Sequence, residues 1–185
     1  MDLNEMSNWM ATVVGELEYG ERYWQAQQRH PALAPYPTVR ALLARLADFS
    51  EERYPESEAL TRALLTEAQA SGHAFWTMVL QLAYHPMLCR LRSRIYGNAV
   101  APDEVDHMVS VCFMEAVLEM PLDPKIDRLP LRLRQGTQRK LFRFLREEQR
   151  LRTNVQLLDH EDILWLAEAY YEPEGDDPIS HEQKC

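Results

Sequence analysis

Asp103-Glu104-Val105-Asp106-His107-Met108-Val109-Ser110-Val111-Cys112-Phe113-Met114-Glu115-Ala116 is the stretch that decides the fold class. Val105, Met108, Val109, Cys112, Phe113, Ala116 and Met120 recur at steps of three and four. That spacing winds them into one apolar stripe along a helix. Pro102 stands just before two acids, as at a helix start, where the missing N–H costs nothing and the dipole favours negative charge. No segment of the chain alternates apolar and polar residues as a half-buried strand does, and glycines number only six. The expected fold class is therefore all-α.

Working outward, the same period predicts a helical stretch over 3–28, with Met6, Trp9, Met10, Val13, Val14 and Leu17 on its apolar side. Three prolines between His30 and Pro37 end it. Thr38 reads as the N-cap of a helix carrying Val39, Leu42, Leu43 and Leu46. A helix over about 56–71 follows, starting near Ser57 and stopped by Gly72. An apolar helix from His73 to Tyr96 has Pro86 inside it, which predicts a kink or a division. Downstream of the opening stretch, residues 121–130 read as a loop, 131–152 as a long helix and 159–171 as a short one. Residues 172–185 form an acidic tail. The expected organisation is an N-terminal helical extension at 1–72, a helical domain at 73–152, and a short helix with tail at 153–185.

At 185 residues and 46% apolar content, the chain is long enough to bury its own core without metal or disulfide. Three cysteines at wide spacing, and a start at Met1 without a basic, apolar leader, make a reducing cytoplasm the expected location. No run of about 18 apolar residues occurs, so no membrane partner is expected.

The net charge of −9 is unevenly spread. Residues 125–152 hold ten of the 20 Lys and Arg against three acids, while 1–124 and 153–185 are both acidic. Arg139, Arg143, Arg146 and Arg150 are separated by four, three and four residues, which puts them on one helical face. Arg132, Arg134 and Lys140 flank that row, and Phe142 and Gln138 lie among the charges. Guanidinium forks one helical turn apart suit a phosphate backbone. The same row could be a solvated face, paired with Glu147 and Glu148 or with the acidic ends. Both readings stand at this point.

Residues 75–152 taken together resemble region 2 of bacterial RNA polymerase sigma factors, closest to the small extracytoplasmic-function type. The carriers are the apolar helix ending near Tyr96-Gly97-Asn98, the helix quoted above, the Pro- and Asp-bearing loop, and Thr137-Gln138-Arg139-Lys140-Leu141-Phe142-Arg143-Phe144-Leu145-Arg146-Glu147-Glu148. The resemblance implies a sigma region 2-like helical bundle behind an extra N-terminal segment, and a transcription-related protein that binds DNA and polymerase. It implies that Asp106, His107, Ser110, Val111, Met114 and Glu115 meet the polymerase β′ subunit. It implies that Arg132, Arg134, Arg139, Lys140, Arg143, Arg146 and Arg150 face DNA. The chain ends about 30 residues after the basic helix, so a partner protein supplying the second, −35-reading DNA-binding domain is also expected.

Several positions depart from the family pattern. His107 stands at an acid, Ser110-Val111 at a Gln-Glu pair, and Arg139 and Arg143 at an Asn and an Asp. The loop at 121–130 has no aromatic residue to stack on an extruded base. These changes keep a second reading open: an adaptor or anti-sigma-like regulator whose sigma-like shape binds a protein and not DNA. Enzyme chemistry is not expected, since no phosphate loop, no His-Glu-x-x-His and no Cys/His zinc spacing is present. No cofactor or metal is expected. The histidines 73, 85 and 107, the cysteines 89 and 112 and the four tryptophans read as packing or interface residues. The acids at 51, 52, 56 and 58 read as a solvated face and loop.

Overall fold

In the computed structural model, residues 3–14, 17–48, 50–95 and 102–156 are described, and every regular element among them is helical. The helices are α1 (Leu3–Val14), α2 (Leu17–Arg29), α3 (Val39–Leu46), α4 (Tyr54–Ser71), α5 (Ala74–Ile95), α6 (Pro102–Glu119) and α7 (Leu129–Gln156). Single 3-10 turns occupy Pro31–Leu33 and Glu51–Arg53. The stretch expected as helical over 3–28 holds α1 and α2, and residues 15 and 16 between them lie outside the described residues.

Local chemistry sets several helix ends. Thr38 is extended, at φ −137 and ψ 155, and its Oγ1 accepts the Ala41 N–H at 3.2 Å, capping α3. Pro55 sits in the first turn of α4. Gly72 closes α4 in the left-handed region at φ 60, where its N–H donates to the Ala68 carbonyl. Ser71 Oγ and His73 Nδ1 accept backbone N–H groups of the α4–α5 turn. Pro86 lies within α5, which is assigned as one helix from Ala74 to Ile95; the proline does not divide it.

The chain separates into two compact units, Met1–Arg143 and Phe144–Cys185. In the first, α5 is the central helix: α1, α3, α4 and α6 all pack against it. Phe75, Val79, Leu80 and Leu88 of α5 are fully buried with Leu60, Leu64 and Leu65 of α4 and Phe113 of α6. Trp76 packs edge-on to Phe75, and Tyr84 lies near Phe113. α1, α3 and α4 thus share one core with the helices that follow: α4 packs on both α5 and α6, and α1 and α3 pack on α5. The described part of the second unit is residues 144–156 of α7. The short helix expected over 159–171 and the acidic tail lie outside the described residues.

Candidate nucleic-acid interface

The first unit's part of α7 buries one row: Leu129, Leu133, Thr137 and Leu141, spaced by four and fully shielded from solvent. Thr137 satisfies its hydroxyl by donating to the Leu133 carbonyl at 2.8 Å. A small-residue contact lets α7 lie close to α6: a Cβ at Gly136 would meet the Ala116 Cβ at 3.6 Å. The opposite side of the helix carries the charge. Arg132, Arg134, Arg139 and Arg143 are exposed, with Phe142 beside them 39% exposed. Arg146 and Arg150, in the second unit, are exposed too.

Several basic residues of α7 have local partners; Arg139 Nε, for one, donates to the Gln135 carbonyl at 3.4 Å. Arg132 Nε donates to the Asp127 carbonyl at 2.9 Å. Lys140 reaches back to α6, with its Nζ 2.7 Å from Glu119 and 3.2 Å from Glu115. Glu119, and then Glu115, push its ammonium pKa up. Lys140 is therefore held by two carboxylates and adds little to the net positive face.

α6 divides its expected contact residues between interior and surface. Asp106 is 2% exposed; its carboxylate pairs with the Arg92 guanidinium of α5 and accepts the Leu3 N–H at 3.3 Å. Ser110 is also buried, and its hydroxyl donates to the Asp106 carbonyl at 3.0 Å. The outward set is His107, Met114 and Glu115, with Val111 half-buried. Leu118, one turn beyond Met114, is 55% exposed. A docking surface on this helix would thus be made of His107, Val111, Met114 and Leu118, and it is more apolar than the sequence pattern implied.

The loop between α6 and α7 is tied down by α4. Arg62 donates to the carbonyls of Leu122 at 3.4 Å, Asp123 at 3.3 Å and Ile126. Its neighbour Glu58 pairs with it at 3.3 Å and accepts the Leu129 N–H through Oε2 at 2.7 Å. Glu58 thereby caps α7, one of whose first N–H groups has no partner within the helix. Glu58 is among the acids expected on a solvated face and loop. Its side chain is only 18% exposed, because the start of α7 lies over it. Nothing local to residues 54–64 signals this, since the partners lie 60 to 71 residues downstream.

Elsewhere, Cys112 is buried and Cys89 is half-buried against His85, with Sγ 3.5 Å from Nε2. Trp76 is in the core, whereas Trp9 and Trp24 are more than half exposed. Among the described residues no group of three His, Cys, Asp or Glu could hold a metal ion, and no helix is long and apolar enough to cross a membrane. No family model, curated protein or solved structure matches the chain.

Proposed function

We propose that this chain is a transcription-related, DNA- and RNA polymerase-binding protein built on a sigma region 2-like helical module. The observation that carries the reading is the two-sided character of α7: a buried Leu129, Leu133, Thr137, Leu141 row and an exposed arginine face. The arginines engage phosphates, and Phe142 offers a ring for stacking on an unpaired base. Association is then driven largely by counterion release. The outward apolar face of α6 serves as the docking surface for a polymerase helix.

The test is a salt titration of the full chain with labelled single-stranded and duplex DNA, in parallel with capture of purified polymerase core enzyme. The expected result is affinity that falls steeply and log-linearly with salt, with a slope near −0.7 to −0.9 per phosphate contact, and retention of core enzyme. Absence of both interactions at low salt would overturn the proposal. Retention of core enzyme without DNA binding selects the adaptor reading, which the exposed Met114 and Leu118 favour.

A further inference from the structure

The stretch that resembles the sigma module starts after residue 72, yet the basic helix is held at its origin by α4, at 54–71. Arg62 donates to three carbonyls of the 121–128 loop, those of Leu122, Asp123 and Ile126. Glu58 holds Arg62 with one carboxylate oxygen and the first N–H of α7 with the other. Between these two attachments the chain turns through Arg128, a non-glycine residue at φ 58. That conformation is costly for a side chain and persists only where surrounding contacts fix it. Arg128, Arg132 and Arg134 are all exposed within six residues of the clasp.

We propose that Glu58 and Arg62 are positioning residues for the polyanion-binding surface, and that holding the loop and the first turns of α7 is the task of the N-terminal helices. This rests on the reading of α7 as the DNA-facing helix. The clasp acts through placement: it contributes no phosphate contact of its own from Glu58, and the Arg62 guanidinium is occupied by carbonyls. It also fixes the loop, so this segment does not swing out to receive a base.

The experiment compares the full chain with Glu58→Ala, Glu58→Gln, Arg62→Ala and Arg62→Lys. Binding is read with a fluorescein-labelled single-stranded oligodeoxynucleotide, and amide hydrogen exchange is followed in the same samples. Glu58→Gln keeps an oxygen for the Leu129 N–H, while Lys, with a single nitrogen, does not reproduce the separate Nη1 and Nη2 contacts of Arg62. Expected are faster exchange at Leu129 and through 122–128, and affinity lowered roughly tenfold in both alanine variants and in Arg62→Lys, the loss of one or two charge-assisted hydrogen bonds. Glu58→Gln should recover most of the affinity. Unchanged exchange at Leu80 and Leu88 establishes that the core is intact. Affinity within about twofold of the original, with exchange showing the clasp open, overturns the positioning role. An unmodified chain that binds no oligonucleotide overturns the DNA reading itself, and the two failures are told apart by which protein fails.

Discussion

Asp106 on α6 and Arg92 on α5 form an ion pair in which the carboxylate is 2% exposed and the guanidinium side chain 29%. The same carboxylate accepts the Leu3 N–H at the start of α1. One side chain therefore ties together three helices, one of them in the N-terminal extension. In the sequence pattern this acid is a polymerase contact; in the fold its oxygens are committed inward. Replacing it by Ala removes the Asp106 carboxylate from Arg92 and the acceptor from the Leu3 amide. The expected loss is about 3 kcal/mol, at the lower end for breaking a buried pair because Arg92 retains some access to water. Asp106→Asn keeps an acceptor and should cost about half as much. Urea unfolding of the two variants measures this. A loss under about 0.5 kcal/mol for Ala would contradict the assignment.

Glu67 of α4 joins that helix to Arg29 and His30 at the end of α2. Its carboxylate, 7% exposed, is bridged by Arg29 at 2.7 Å and by His30 at 2.8 Å. Hydrogen bonding to Arg29 is the main cause that holds its pKa below the ordinary glutamate value, followed by an opposing burial effect and then by His30. A depressed carboxylate pKa contributes stability that is complete above the unfolded value, about 4.3, and disappears as pH falls through the folded value. Glu67→Gln should therefore be less stable than the parent at neutral pH. The gap should close below about pH 4. Thermal unfolding between neutral and acid pH tests the sign; a constant gap across that range contradicts it.

Lys140 and Arg143 should separate in their effect on DNA binding, although three residues apart on one helix. Lys140 is held by Glu115 and Glu119, whose side chains are 48% and 66% exposed. Such solvated pairs contribute no more than about 1 kcal/mol to stability. Lys140→Ala should leave the salt slope of DNA affinity near its original value, because two carboxylates already offset that ammonium. Arg143→Ala should lower the slope by about one contact. Equal slopes for the two variants would contradict this division.

The sequence made local features legible and missed remote ones. Thr38 and Gly72 act within a few residues of themselves, so composition and period identify them as helix ends. The buried α6 positions Val105, Met108, Val109, Cys112, Phe113 and Ala116, and Met120 just past its end, follow from spacing alone. Asp106 and Ser110 do not, because α6 is covered by both α4 and α5 and so buries a wider arc than one stripe. Glu58 and Arg62 look like ordinary surface charges of α4. Their roles depend on carbonyls and an N–H supplied 60 to 71 residues away, which no local pattern encodes. The exposed arginines were legible as a row. That Lys140 is neutralised from α6 was not.

The central claim is that the arginine face of α7 is a polyanion-binding surface. Its most direct test changes Arg139, Arg143 and Arg146 together to Glu in the full chain, and compares DNA affinity across a salt series. All three are exposed, so the far-ultraviolet helical signal and the unfolding midpoint should stay close to those of the parent. DNA binding should fall by at least about a hundredfold at low salt, and the salt slope should drop by about three contacts. A folded triple variant with the parent's affinity and slope would contradict it.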